Sequence, residues 1–138
     1  MALLAVLVLG CYTNHAGFAA SGAAVRLDRR QVVLSNAEET VTLPLSAFPE
    51  TERRRIAADY VLGHPEAGTE LLRIPRAVRE AVAANEKAIR RSRLRAEKGL
   101  CDRKESDAFC EKSSAALSSW LDAEVKKGTL LPCERRAL

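Results

Sequence analysis

The chain has 138 residues, of which 47% are hydrophobic and 29% charged, and its formal net charge is +4. This balance is typical of a globular protein with one domain or two small ones, and it excludes a chain that is disordered throughout. Because only 4% of the residues are aromatic, the core must consist largely of Leu, Val, Ile and Ala.

The first 23 residues differ in composition from the rest of the chain. Ala2 to Leu9 are all apolar, and mostly small residues follow. Eight residues are too few for a membrane-spanning helix, which needs about 20, but they fit the apolar part of a secretory signal. We therefore expect residues 1–23 to be a signal or lipoprotein-type leader. The protein would then be exported, either to the periplasm or lipid-anchored to the cell envelope.

Two kinds of processing fit this leader. The residues Val8-Leu9-Gly10-Cys11 have the form of a lipobox, in which Cys11 would be lipidated and become the N-terminus. The residues 17–19 and 21–23 are small-x-small cleavage sites. No Lys or Arg precedes the apolar run, which leaves a third interpretation open, a buried N-terminal strand.

Strict alternation of apolar and polar residues predicts strands between residues 24 and 48. The run 40–45 has the period of a half-buried strand. Its apolar face consists of Val41, Leu43 and Leu45. Gln31–Ser35 is a second strand, and Asn36 in the turn between them tolerates the left-handed conformation of a tight hairpin.

Val25 and Leu27 predict a third, shorter strand at one edge of the sheet. Pro44 blunts the opposite edge because proline lacks a backbone donor. An open edge presents unpaired backbone groups to which a partner strand can add. Val25 and Leu27 are therefore the candidate binding residues, either for a peptide or for a second copy of the chain.

The strands are followed by a short predicted helix over residues 49–60. Pro49 suits its first position, and acidic residues in the first turn complement the positive helix end. Ile56 and Tyr60 lie four residues apart and would pack on the sheet. The three arginines at 53–55 are expected to face water.

The order of strand, VVL strand, polar turn, TVTLPLS strand and helix start PETERRRI resembles the Sla homology domain of the first type. This family is a small SH3-like β module of endocytic adaptors and of exported bacterial proteins. The resemblance covers about residues 24–60. It departs at Glu38-Glu39, where the family usually has Gly, and at Pro49, where it has Ser. It implies an SH3-like meander, as a complete or incomplete barrel, that binds peptide segments and, in eukaryotes, ubiquitin and cytoskeletal adaptors.

Residues 61–75 predict a linker, and residues 76–138 predict a helical hairpin with a short terminal helix. Two helices, over 76–98 and 103–127, are joined by a turn at Gly99 and should pack antiparallel. The first has an apolar stripe with two polar interruptions, and the second has a richer stripe. The first set is Val78, Val82, Ile89 and Ala96, interrupted by Asn85 and Ser92; the second is Phe109, Ser113, Ala116, Leu117, Trp120 and Leu121.

The predicted fold class is therefore α+β, a small antiparallel SH3-like β meander followed by a C-terminal antiparallel α-helical hairpin. Asp102 and Glu105 have the spacing of a cap at the start of the second helix. Pro132 and Glu134 open the terminal helix.

The four cysteines do not predict an internal disulfide. Cys101 and Cys133 flank a helix that separates them by roughly 35–40 Å, whereas a disulfide needs Cα atoms within about 7 Å. Cys110 lies about 13 Å along the helical chain from Cys101. The spacing fits no zinc pattern. We expect ordinary packed cysteines, with an intermolecular bridge as the alternative.

A dense basic run lies between residues 90 and 104. Its members are Arg90, Arg91, Arg93, Arg95, Lys98, Arg103 and Lys104. Such a run can mark a nucleic-acid or anionic-lipid site, but no groove-reading motif or interleaved aromatic accompanies it. We expect a solvated helix face, and nucleic acid is not an expected partner.

No nucleophile elbow, phosphate loop or HExxH motif is present, so we expect a non-enzymatic protein without cofactor or metal. Two classes of function remain. The first is an exported, adaptor-like protein whose β module binds a protein or peptide ligand, or a second copy of itself. The alternative is a structural or self-associating envelope protein that acts through its helical hairpin. Membrane contact is expected only through a lipid anchor on Cys11.

Overall fold

The computed structural model describes residues 8–138. They form two compact units. Unit 1 comprises the described residues through Arg73 together with Leu131–Leu138, and unit 2 comprises Ile74–Leu130. The predicted α+β class is confirmed, since an open four-stranded antiparallel sheet is followed by helices, two of which form an antiparallel hairpin.

The sheet of unit 1 is a meander in which strands that follow one another along the chain are neighbours. Its strands are β1 (Leu9–Thr13), β2 (Ala19–Leu27), β3 (Gln31–Ser35) and β4 (Thr40–Pro44). The predictions for β3 and β4 are confirmed. Within residues 8–138 β1 and β4 are the two edge strands and do not pair with each other, so the sheet is open and does not close into a barrel.

The turn between β3 and β4 lies where it is predicted, but Asn36 stabilises it in a different way. Asn36 does not adopt a left-handed conformation, since glycines alone have a positive φ among residues 8–138. Its side-chain oxygen instead accepts hydrogen bonds from the backbone N–H groups of Glu38 and Glu39, at 2.9 and 3.0 Å. An Asx turn thus replaces the predicted conformation.

Residues 9–23 belong to this folded sheet, which corrects the predicted boundary at residue 23. β1 pairs with the first half of β2, from Leu9 opposite Ala23 to Thr13 opposite Ala19. The boundary therefore falls inside β2, which begins six residues before Val25. The segment 16–24 is rich in Ala and Gly, so it lacks the apolar and polar alternation that marked the other strands.

Helix α1 (Glu50–Gly63) packs against β1 and β2 and contributes to the core of unit 1. Ile56 is fully buried and Tyr60 packs against the core, as predicted. The helix runs to Gly63, three residues past its predicted end, and a short 3₁₀ turn follows at Pro65–Ala67. The buried core consists of Tyr12, Ala24, Leu27, Val32, Leu34, Leu45, Phe48, Ile56 and Ala57.

Unit 2 is the antiparallel pair of α2 (Arg76–Glu97) and α3 (Arg103–Lys127). The residues predicted to begin and end these helices are confirmed. Gly99 has a φ of 73° in the connecting turn, and Gly128 caps α3 in the left-handed conformation. Asp102 is the N-cap of α3, and its side chain accepts from the backbone N–H of Lys104.

The seam between α2 and α3 is partly polar. The Ser113 hydroxyl donates to the side-chain oxygen of Asn85 at 2.5 Å, and the hydroxyls of Ser92 and Ser106 lie 3.0 Å apart. The two polar residues that interrupt the stripe of α2 are therefore cross-links to α3. Along α3 one series of positions that are not exposed follows a spacing of three and four residues. It consists of Ser106, Cys110, Ser113, Leu117, Leu121 and Glu124.

The predicted stripe of α3 is therefore wrong at two positions. Phe109 is 46% exposed and Ala116 is also exposed. Cys110, one residue further along the helix, is buried in place of Phe109. The predicted stripe follows the largest apolar side chains, whereas the seam at this end of α3 follows the small residues Ser106, Cys110 and Ser113.

The terminal helix α4 (Pro132–Ala137) lies in unit 1 and packs against α1, so residues 131–138 do not belong to the helical hairpin as predicted. They follow α3 directly in the sequence, which is why the sequence alone groups them with the helical hairpin. Within the described part of the chain, no helix combines the length and apolar character needed to cross a membrane.

Candidate functional site

The predicted binding residues Val25 and Leu27 lie on an inner strand rather than at a sheet edge. β2 is flanked by β1 and β3. Leu27 is only 9% exposed and belongs to the core, while half-buried Val25 occupies a bulge between Ala24 and Arg26. The side chain of Leu27 therefore serves the core of unit 1.

The outer side of β2 is nevertheless only partly paired. The register with β1 ends at Leu9 opposite Ala23. Among residues 8–138 no strand pairs with the outer side of β2 from Ala24 to Leu27. This four-residue stretch therefore keeps some of the unpaired backbone N–H and C=O groups that the prediction expects at an open edge.

Cys11, the candidate lipidation residue, is exposed and lies in the middle of β1. The next residue, Tyr12, is fully buried in the core. Cleavage before Cys11 would leave Tyr12 in place. Cleavage after Ala19 or Ala23 would remove β1 altogether. Export and lipidation stay predictions.

Tyr12 is the centre of a closed polar cluster in unit 1. Its hydroxyl donates to the carboxylate of Asp59 at 2.5 Å, and the Arg55 guanidinium lies 5.3 Å from the ring centroid. Burial and the hydrogen bond to Asp59 raise the pKa of Tyr12. Burial also raises the pKa of the Cys133 thiol. Gly10 gives room for the ring, since a Cβ there would overlap it.

Arg53 and Arg54 hold unit 1 together, which corrects the prediction that the arginines at 53–55 face water. Arg53 donates through its Nε to the backbone oxygens of Leu45 and Phe48, at 2.9 and 2.7 Å. The Arg54 guanidinium donates to both carboxylate oxygens of fully buried Glu134, at 3.0 and 2.5 Å. These groups connect α1 to its neighbours and are internally satisfied.

All four cysteines are free thiols. Cys110 is buried, as expected of a packed cysteine. Among residues 8–138 no three or more His, Cys, Asp or Glu side chains are grouped so that they could hold a metal ion.

The most exposed apolar and basic surface of unit 2 lies where α2 turns into α3, over residues 86–109, here called the hairpin turn end. Three large apolar residues project into solvent there: Leu94 is 48% exposed, Leu100 65% and Phe109 46%. All seven residues of the basic run are also exposed. Residues 90–104 hold seven basic and two acidic residues, whereas the rest of the chain holds 15 basic and 16 acidic residues.

A groove opens between α2 and α3 at this end, with a volume of about 360 Å³. It is here called the arginine groove. Arg91 and Arg95 line it from α2, Glu105 and Phe109 line it from α3, and Cys101 closes it at the turn. Sequence reasoning missed this site because it assigned Phe109 to the core. The signal was a heptad spacing through Ser106, Cys110 and Ser113, which leaves Phe109 outside the seam.

Two further grooves of the hairpin turn end differ from the arginine groove in charge. One lies between the same helices and is lined by two arginines and two acids: Arg93, Arg103, Glu97 and Asp107. The other follows α2 and is also balanced, with Arg90, Arg93, Glu86 and Glu97 beside Leu94. Excess positive charge next to an exposed aromatic ring is thus confined to the arginine groove among these three.

No family model, curated protein or solved structure matches this chain. The resemblance of residues 24–60 to the Sla homology domain therefore stays a prediction. Function must therefore be inferred from the surfaces of this chain, and above all from the hairpin turn end.

Proposed function

We propose that this protein is a non-enzymatic protein-binding protein that engages its partner through the hairpin turn end of unit 2. The observation that carries the proposal is the simultaneous exposure of Leu94, Leu100 and Phe109 among arginines and lysines. Grouped apolar side chains on a polar surface are typical of interaction sites, and aromatic residues with arginine are the types enriched there.

Energetics support this proposal. Full burial of a Leu or Phe side chain contributes about 1.5–3 kcal/mol, so three half-exposed ones leave several kcal/mol of stabilisation available to a partner. The polar clusters of unit 1, by contrast, are closed and satisfied by the chain itself. Of the two predicted classes of function, the proposal is closer to the one that acts through the helical hairpin.

A second candidate is strand addition to unit 1, the mode that the predicted adaptor-like β module would use. It is supported by the outer side of β2 from Ala24 to Leu27, which no strand among residues 8–138 occupies. Val25→Pro tests it, because Val25 lies in the bulge and outside the regular ladder. Leu27→Pro is unsuitable, since Leu27 belongs to the core.

The experiment for the first candidate is site-specific photo-crosslinking of the full-length protein in its native host. A photoreactive phenylalanine analogue replaces Phe109 in one strain. The matched control places it at exposed Ser119, also on α3. A third strain carries it at exposed Thr42 on β4 of unit 1.

We expect a defined crosslinked product from position 109, identified by mass spectrometry, and much less from position 119. A product with twice the mass of the chain would identify the partner as a second copy. Equal, diffuse labelling at positions 109 and 119 would contradict the proposal. A defined product from position 42 alone would favour the sheet of unit 1 instead.

A further inference from the structure

The arginine groove has charge available for a ligand. Arg91 and Arg95 are both exposed, and neither forms an ion pair with any other residue in the range 8–138. Glu105 is the single carboxylate among the lining residues. Because both guanidinium groups keep their full hydrogen-bonding capacity, a ligand with two carboxylates would gain charge-assisted hydrogen bonds.

The position of the groove suits a helical ligand. It runs between two antiparallel helices, with Ala88, Cys101 and Phe109 among its lining residues. The stretch from Ala88 to Arg95 rises about 10 Å, or two helical turns. An amphipathic helix placed there completes a three-helix arrangement and presents apolar residues at three- and four-residue spacing to Phe109.

The spacing of the two arginines specifies the polar half of such a ligand. Arg91 and Arg95 are four residues apart, so they emerge from the same side of α2 about 6 Å from each other along its axis. Carboxylates three or four residues apart on a second helix have a similar separation. Two arginine–carboxylate ion pairs can therefore form at the same time.

A membrane surface fits this arrangement less well. Leu94 lies in one groove and Phe109 in another, and the two grooves share no lining residue. Side chains that insert into a bilayer must point to one plane. Nucleic acid also fits poorly, because Glu97, Glu105 and Asp107 are interspersed with the arginines and would repel phosphates.

We infer that the arginine groove binds an acidic amphipathic helix of a partner protein. Apolar residues of that helix pack on Phe109 and Ala88, and its carboxylates pair with Arg91 and Arg95. This inference rests on the proposed function and names the chemical class of the partner.

The test is a selection with full-length protein from a displayed library of helical peptides whose exposed positions are fully randomised. We expect the enriched peptides to combine Leu or Phe at three- and four-residue spacing with Asp or Glu beside them. Fluorescence anisotropy of the best peptide then measures binding to the variants. Arg91→Glu/Arg95→Glu should weaken binding by about tenfold or more, since it reverses both charges at the rim.

The matched control is Arg90→Glu/Arg93→Glu, which changes the net charge equally on the same helix but outside the arginine groove. It should weaken binding by no more than about threefold, because distant surface charges are screened. Phe109→Ala should also cost about tenfold or more, as loss of an aromatic anchor does. A peptide with its acidic residues changed to Lys should bind the Arg91→Glu/Arg95→Glu variant better than the parent protein.

Three results would overturn the inference: no enriched peptide, enriched peptides without excess acidic residues, or equal loss in the two charge-reversal variants. Groove-dependent binding to vesicles of phosphatidylglycerol and phosphatidylcholine, without peptide binding, would assign the groove to a lipid surface instead. A partner captured at Phe109 whose binding survives Arg91→Glu/Arg95→Glu would refute this inference and leave the proposed function intact. Failure of capture at Phe109 in the native host would count against the proposed function and with it this inference, whereas the peptide measurements test the arginine groove by itself.

Discussion

At the scale of single residues, Tyr12 shows how one side chain connects the N-terminal strand to the rest of unit 1. Its ring fills the core beneath Arg55, and its hydroxyl reaches Asp59 on α1. Both the burial and the hydrogen bond favour the neutral phenol, which is why the pKa of Tyr12 is raised. The fold of unit 1 therefore depends on Tyr12 staying protonated.

This dependence predicts a loss of stability in alkali. The folded pKa of Tyr12 lies above its value of about 10 in the unfolded chain, so the stabilisation is fully present below pH 10 and is lost as the pH rises. Linkage gives about 1.4 kcal/mol for each pH unit above 10. Urea unfolding of unit 1 between pH 8 and 11, followed by circular dichroism, measures it.

The control for this prediction is Tyr12→Phe, which should flatten the alkaline slope while lowering stability at pH 8. Cys133 must be replaced by Ala in both chains, because its thiol pKa is also raised by burial and its titration would add to the slope. An equal slope with Tyr and Phe at position 12 would show that another group is responsible.

Glu134 gives a second prediction at the residue scale. It is fully buried, accepts two hydrogen bonds from Arg54 and accepts another from the backbone N–H of Leu131. Glu134→Gln should lower the free energy of unfolding of unit 1 by about 3 kcal/mol, since it leaves a poorly paired guanidinium behind. Urea denaturation at pH 7 measures the difference.

The matched control is Glu50→Gln, which is also in unit 1. Glu50 pairs with Arg53 at 3.5 Å, but its side chain is 58% exposed. Exposed pairs of this kind contribute about 0.3–0.5 kcal/mol, so the control should change little. Similar losses in the two variants would show that the burial of Glu134 does not set the cost of its replacement.

At the scale of elements, α2 and α3 illustrate a seam built from both apolar and polar contacts. Leu121 is 3% exposed, whereas Phe109 lies on the flank of the seam. The hydrogen bonds of Asn85 to Ser113 and of Ser92 to Ser106 fix the register of the two helices. Such polar pairs contribute specificity rather than much stability.

The burial difference predicts different costs for two truncations in α3. Leu121→Ala should destabilise the hairpin by about 2–5 kcal/mol, because it removes a buried side chain and leaves a cavity. Phe109→Ala should cost about 1 kcal/mol, since nearly half of the residue is already exposed to water. Urea titrations followed at 222 nm measure both. Equal losses would place Phe109 in the core and would weaken its role in the arginine groove.

At the scale of the whole molecule, the sheet ties the N-terminal region to the folded protein. β1 supplies the partner of the first half of β2, and Tyr12 is part of the core. Removal of β1 would expose that half of β2 and leave Asp59 without its phenol partner. A small unit has a low free energy of unfolding, so such a loss is enough to unfold it.

We therefore expect the mature protein to retain Tyr12. Intact mass spectrometry of the protein from its native host should find either the unprocessed chain or an N-terminus at Cys11. A chain starting at Ala20 or Ala24 would contradict this expectation. As an independent check, a recombinant chain that starts at Ala20 should lose the cooperative unfolding of unit 1, while its α2 and α3 helices remain detectable by circular dichroism.

The sequence alone determined the elements whose signal is local. β3 and β4 alternate strictly, and α2 and α3 carry their own boundaries in Gly99, Asp102 and Gly128. These features need no distant partner, because pleat, helix period and caps are set by neighbouring residues. The α+β class followed from them.

Only the tertiary structure decided which side chains are buried and which partners they contact. Tyr12 became core through Asp59, 47 positions away, and Arg54 became a buried partner of Glu134, 80 positions away. Phe109 lies on the flank because small and polar residues let α2 and α3 approach closely, so a seam through Ser106 and Cys110 excludes it. Long-range pairing of this kind depends on the packed geometry of elements, which residue type and spacing do not specify.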